Sequence, residues 1–220
     1  RVRSRAERKR NYIIKKMKVL IACEYSGIVR DAFAAKGHDA WSCDILPTES
    51  KGNHIQGDVL EHLDKGWDIM IAHPPCTYLS NAGIAWFNEE KYGDKARTRK
   101  KLRLEAMEFV KKFYYNDIPK VCIENPVGYL NNHWKKPSQV VQPYYFGDTE
   151  SKRTCFWLKN LEPLKHTKIV KPKIYGYYKT GKKKGKPIYK NDWQQWSEDR
   201  GKIRSKFFEG IAKAMADQWG

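Results

Sequence analysis

The sequence predicts an α/β fold built on a doubly wound, mostly parallel sheet. Three observations predict it. Short apolar runs recur at residues 18–23, 68–72, 121–123 and 154–158, too far apart for hairpins. Helical patterns fall between several of them, the alternation that yields parallel strands with right-handed crossovers. The chain has 220 residues, 40% hydrophobic and 13% aromatic, enough for one well-buried domain and a small appendage.

Residues 18–23 read as a buried strand. Ser26 and Gly27 follow, and a helical pattern through Ala32, Phe33 and Ala35 ends at Gly37. Residues 39–43 form a second strand closing on Asp44, and 55–58 a short third strand closing on Asp58. Val59, Leu60, His62 and Leu63 make a helical turn or two. The fourth strand, 68–72, delivers His73-Pro74-Pro75-Cys76. Residues 74 to about 96 lack a clean period, and so long a loop in a compact domain is usually functional or mobile. The clearest helix spans 97–116, with Leu102, Ala106, Phe109, Val110 and Phe113 on one face. Ile118-Pro119 breaks it, the fifth strand 121–123 ends in Glu124-Asn125-Pro126, and 154–158 is another strand.

From Glu162 to about Lys202 lysines interleave with Tyr175, Tyr177, Tyr178, Tyr189, Trp193 and Trp196. Residues 180–185 read as a hairpin tip between 174–178 and 187–189, carrying Lys182, Lys183 and Lys184. A last helix, 207–219, offers Ile211, Ala214, Met215 and Trp219 to the sheet.

Lys and Arg number 43 against 25 Asp and Glu, a net charge of +18. Residues 1–16 hold eight basic residues against Glu7, so 18 less 7 leaves +11 for the rest. Met17 opens the first strand and reads as the native start, with 1–16 an added or out-of-frame extension. A field this positive favours a polyanionic partner; the plainer reading is lysine-rich solvated faces. No run is long and apolar enough for a membrane span, and no signal peptide is visible. The five cysteines form no Cys-x-x-Cys pair, which argues against structural zinc and suits a reducing, cytoplasmic setting. Cys23, Cys43, Cys122 and Cys155 sit in or beside apolar runs as small core residues, whereas Cys76 follows a turn that would expose it.

In open α/β sheets, ligands bind beyond the carboxyl ends of the strands. Tyr25, Asp44, Asp58, Cys76 and Glu124 all stand there. A thiol and a carboxyl on neighbouring strand ends are the two parts needed to activate a pyrimidine ring. Taken alone, Cys76 reads as an incidental cysteine and each Asp as a helix N-cap; a cap can also bind a ligand.

These residues together resemble the S-adenosylmethionine-dependent C5-cytosine methyltransferases, particularly small phage-type members. Tyr25-Ser26-Gly27 looks like the first, cofactor-binding motif, Pro74-Pro75-Cys76 matches the nucleophile motif, and Glu124-Asn125-Pro126 is similar to the Glu-Asn-Val motif. Ser151-Lys152-Arg153 sits where a Gln-x-Arg-x-Arg strand is expected, with Ser151 and Cys155 in place of the Gln and second Arg. Ile28, Val29 and Arg30 follow Gly27 where the first motif is glycine-rich, and Arg30 is expected to face solvent. Phe208-Glu209-Gly210 stands for the last motif.

The resemblance implies a Rossmann-like methyltransferase fold with a small basic target-recognition insertion. It implies a catalytic core at 17–161, a DNA-recognition segment at 162–203, and a C-terminal helix at 204–220 packing back on the core. Its activity would be methyl transfer to C5 of a cytosine flipped out of DNA. Cys76 would attack C6, Glu124 would neutralise charge at N3 with a pKa raised by burial, and Arg153 would hold the O2 edge or orient the Cys76 loop. Tyr25, Ser26, Gly27, Asp44, Asp58 and Pro74 would hold S-adenosylmethionine or a modified analogue. Ser80 and Lys182 to Lys184 would contact DNA with short or loose specificity, and residues 77–96, including Trp86, would close over the base. A monomer without metal or membrane partner, in a bacterial or phage-infected cytoplasm, is the expectation. The same chemistry with a carboxymethyl or other one-carbon donor, an RNA substrate, and a silent nucleic-acid-binding module are the alternatives.

Overall fold

A computed structural model of the protein describes residues 15–189 and 206–220. The central sheet is assembled from β1 (Lys18–Ala22), β2 (Asp39–Asp44), β3 (His54–Gln56), β4 (Ile69–Ala72), β5 (Lys120–Pro126), β6 (Gln139–Val141) and β7 (Thr154–Lys159). Its order is β3-β2-β1-β4-β5-β7-β6. The first five strands are mutually parallel, β7 runs antiparallel to β5, and β6 antiparallel to β7. The sheet is therefore mostly parallel and covered on both faces.

Both faces are apolar because alternate residues of each central strand serve opposite layers. Val19, Ile21, Ile69 and Ile71 pack under α1 (Ile28–Ala34) and the C-terminal helix, joined by Phe33, Ile211, Met215 and Trp219. Leu20, Met70, Val121 and Trp157 pack under α2 (Glu89–Tyr114), joined by Met107, Val110 and Phe113. A five-residue helix, α3 (Tyr129–His133), follows β5, and α4 (Glu209–Trp219) ends the chain.

Asn88 caps α2 by accepting the Lys91 N–H at 2.9 Å, and Gly93 then breaks its first turn. Asn116 ends it: its amide donates to the Phe113 carbonyl at 2.8 Å and its carbonyl accepts the Ile118 N–H at 2.7 Å. The loop expected over residues 74–96 therefore contains a 3-10 segment, Asn81–Phe87, and the start of α2. Strand β6 has no counterpart in the sequence reading.

The basic segment contains a separate two-stranded sheet, β8 (Ile174–Tyr177) and β9 (Pro187–Tyr189), with Lys182 to Lys184 exposed at its tip. The hairpin is thus found as read. Trp193, Trp196 and residues 1–14 lie outside the described residues. Among the described residues no helix is long and apolar enough to cross a membrane.

From β1 the chain winds to β2 and β3 on one side; from β4 it winds to β5 on the other. The crevice where the winding direction reverses lies at the carboxyl ends of β1 and β4, flanked by those of β2 and β5. The register Cys43–Ala22–Ala72–Ile123 across these four strands brings Asp44, Glu24, His73 and Glu124 out on one end of the sheet.

Candidate active site

Cys76 follows β4 and Glu124 lies in β5, its parallel neighbour, and the segments carrying them are bonded to each other. Asn125 Nδ2 donates to the Pro74 carbonyl at 2.9 Å in a buried bond. Ser80 and Gly128 form an antiparallel bridge, and the Tyr129 N–H donates to the Leu79 carbonyl at 2.7 Å. Gly128 is required there, because a Cβ would collide with the Leu79 carbonyl. The Cys76 carbonyl accepts the N–H groups of Leu79 and Ser80 at 3.0 and 2.9 Å, so Cys76 begins a tight turn and is exposed. Arg99 and Arg103 latch this turn to α2 through the carbonyls of Thr77 and Tyr78 at 3.3 and 3.0 Å.

Glu124 lies in β5 with its side chain largely buried. Burial pushes its carboxyl up, but the bond from His73, the Lys152 charge and the Thr154 hydroxyl outweigh burial, and its pKa falls below the usual carboxylate value. The expected rise is thereby corrected: an acid ringed by donors is held as its anion. His73 Nδ1 stands 3.4 Å from Glu124 Oε2, and the His73 ring packs on Phe207 with centroids 4.6 Å apart. Arg153 is exposed at the start of β7, and the cation that acts on Glu124 is its neighbour Lys152.

Glu24 is the buried acid of β1. Its carboxylate accepts the Val29 and Arg30 N–H groups at 2.7 and 3.2 Å, closing the α1 N-terminus that Gly27 cannot cap. Burial pushes its carboxyl up, against the pull of His73 and these donors.

Arg30 was expected in solvent and is 1% exposed. Its guanidinium donates to Asp31 at 2.7 Å, Ser42 Oγ at 3.1 Å, Thr48 Oγ1 at 3.2 Å, Ser50, and the Lys51 carbonyl at 3.2 Å. The helix turns this side chain toward β2, where the loop after β2 wraps it in acceptors. That loop also covers the β1–α1 turn: Ser50 Oγ lies 3.3 Å from the Ser26 carbonyl, and the Glu49 N–H donates to the Tyr25 carbonyl at 2.9 Å. Tyr25 is 9% exposed and Ser26 half-buried.

Asp44 and Asp58 form an acidic mouth beside Cys23 and Cys43. Burial and then Asp44 push the Cys43 thiol up to about 11, and burial with both Asp residues pushes Cys23 up as well. Asp44 accepts the Leu46 N–H at 2.9 Å, and Asp58 accepts the Leu60 N–H at 2.9 Å as the N-cap of a 3-10 turn, Val59–His62. Ile45, 76% exposed, and Leu46 stand beside them as an apolar wall. Carboxylates next to an apolar wall suit the hydroxyl and amino donors of a nucleoside. The Cα face of Gly27 is already filled, since a Cβ there would meet Ser50 Oγ and the Arg30 guanidinium.

Pro74 is buried, Ser80 is half-buried, and both belong to the Cys76 loop. The sequence reading did not single out His73, Glu24, Asn125 as a tie to Pro74, Lys152, or Ile45. Glu24 and His73 were visible as ionisable groups directly after strands. Among the described residues no group of three or more His, Cys, Asp or Glu side chains is arranged to hold a metal ion. No family model matches the chain, and no curated protein matches it significantly.

Proposed function

We propose that the protein is an S-adenosylmethionine-dependent DNA cytosine-5 methyltransferase acting on an extruded cytosine. The observation that carries this reading is that the segments bearing Cys76 and Glu124, on neighbouring parallel strands, are bonded to each other through Asn125, Ser80 and Gly128. Cys76 Sγ adds to C6 of the ring, and the electrons pushed out of the C5–C6 bond make C5 nucleophilic. In the resting site the Glu124 anion accepts from the N4 amino group. The Cys76 thiol gives up its proton as the sulfur adds, and Glu124, whose proton affinity rises as negative charge gathers toward N3, takes up that proton and delivers it to N3. His73, Lys152 and Thr154 hold Glu124 in place before this step. Asp44, Asp58, Ile45 and Pro74 are the residues that would hold S-adenosylmethionine, which when bound supplies an electrophilic methyl group. Loss of the C5 proton to water then lets the sulfur–C6 bond break.

A DNA partner is supported by the strongly positive net charge, which persists without residues 1–16, and by Lys182 to Lys184 exposed on the hairpin tip. A second reading, a catalytically silent nucleic-acid-binding module, is favoured by the filled face of Gly27.

Incubation with S-adenosylmethionine and DNA containing 5-fluorocytosine separates the two. The enzyme traps a covalent protein–DNA adduct that Cys76→Ser abolishes while DNA binding persists. Mass spectrometry of nucleosides from co-expressed DNA identifies the group added. Absence of both adduct and modified cytosine leaves the silent module.

A further inference from the structure

Beside the Cys76 loop a cavity of about 260 Å³ is lined by Tyr78, Trp86, Tyr92, Lys95, Arg99 and Leu102. The chemistry assigned to Cys76 and Glu124 uses none of them. Gly93, at φ 49° and ψ −126°, turns the first turn of α2 aside and sets the Tyr92 ring 4.8 Å from Trp86. That backbone conformation favours glycine. Gly83 leaves room for Arg99, whose Nη2 would stand 2.9 Å from a Cβ there. The Arg99 guanidinium lies 4.9 Å over Tyr78, and its Nε is buried with no partner among the described residues.

Aromatic rings gathered this way are usually a small core that anchors a loop. Trp86 is 55% exposed, however, and Ile84 two residues before it is exposed too, so this ring faces water while Tyr78 and Tyr92 are half-buried. Two ring faces, an apolar floor at Leu102 and a rim of Lys95 and Arg99 offer a planar base its stacking surface and a phosphate its cations. The volume lies below the roughly 300–1,000 Å³ of sites that enclose a drug-sized ligand, as suits a single base. Tyr78 is two residues from Cys76, a chain reach of at most about 7 Å. The cavity therefore borders the turn that carries the thiol.

We propose that the cavity seats a second, unstacked base of the DNA strand next to the base presented to Cys76, with its phosphate on Lys95. The inference rests on the reading of the strand-end site as one that takes an extruded base.

The test compares binding of a short thymidine oligonucleotide with that of an abasic strand of equal length and charge, using the full chain. The wild type should favour the base-bearing strand by about five- to a hundredfold, the range of one base–aromatic stack. Trp86→Ala and Tyr92→Ala should each remove most of that preference and leave abasic binding unchanged. Lys95→Gln should keep the preference and flatten the slope of log K against log salt by about 0.7. A preference that survives both aromatic substitutions, or a wild type without one, overturns the proposal. Methyl transfer is followed in parallel. Transfer without a Trp86-dependent preference removes the cavity's role and keeps the enzyme; a Trp86-dependent preference without transfer keeps the cavity and removes the enzyme.

Discussion

His73 Nδ1 meets Glu124 Oε2 at 3.4 Å across the ends of β4 and β5, while its Nε2 is buried with no partner among the described residues. The same imidazole also acts on Glu24, so one ring serves two buried acids that are shifted in opposite directions. Glu24 is dominated by burial and rises; Glu124 is dominated by its partners and falls.

His73→Asn removes both a hydrogen bond and a positive field from Glu124, so the carboxyl's pKa should climb. Lys152→Met should move it the same way, and Arg153→Met should leave it in place. Carbon NMR of the Glu124 carboxyl reads the shift directly; no upward movement in His73→Asn would refute the assignment. The sign for stability follows. A carboxyl held below its ordinary 4.5 stabilises the fold above that pH, and the gain disappears as pH falls through the lowered value. His73→Asn should therefore narrow the difference in unfolding free energy between neutral and acid pH.

Arg30→Met should cost about 3–5 kcal/mol in urea unfolding, because it strips a buried charge network of its centre. Arg30→Lys should recover little, since an ammonium cannot span Asp31, Ser42, Thr48 and Ser50 at once. A loss under about 1 kcal/mol for Arg30→Met would show that the loop after β2 is held by something else.

Gly128→Ala should force the Leu79 carbonyl away and break the joint between the Cys76 and Glu124 loops. Overpacking of this kind costs about 1–3 kcal/mol. Methyl transfer should fall further than the stability loss accounts for, because the joint sets the spacing of thiol and acid. A variant with a lowered melting temperature and undiminished transfer would contradict this. Asn125→Ala, which leaves the Pro74 carbonyl unpaired, should act in the same direction.

Asp44→Ala should weaken S-adenosylhomocysteine binding by about 10- to 100-fold, the range of hydrogen bonds to a charged group. Titration calorimetry reads the change. Asp58→Ala should combine a weaker ligand effect with a less stable 3-10 turn, since Asp58 also caps it. Unchanged affinity in both variants would remove the acidic mouth from the ligand site.

Strands β1, β4, β5 and β7 were legible because each is apolar along most of its length, as burial on both faces demands. Strand β6 was not: three residues before Gln142-Pro143 at a sheet edge carry no usable period. That Cys76 and Glu124 stand at the same end of the sheet was legible because Glu124 directly follows one apolar run and Cys76 follows another after only His73-Pro74-Pro75. Arg30 was misread because a guanidinium is buried only where acceptors surround it, and most of its acceptors lie 12 to 21 residues further on. Lys152 and Arg153 are indistinguishable until the register of β7 against β5 sets which one stands near Glu124. His73 gained its meaning from an acid 51 positions away.

Four of the five thiols are buried or half-buried, and Cys76 is the exposed one. Reagents that alkylate or oxidise sulfur therefore reach the folded protein chiefly at a single atom. Peroxide or maleimide inactivation would report the chemistry of that atom alone, with the rest of the fold acting as its own protecting group.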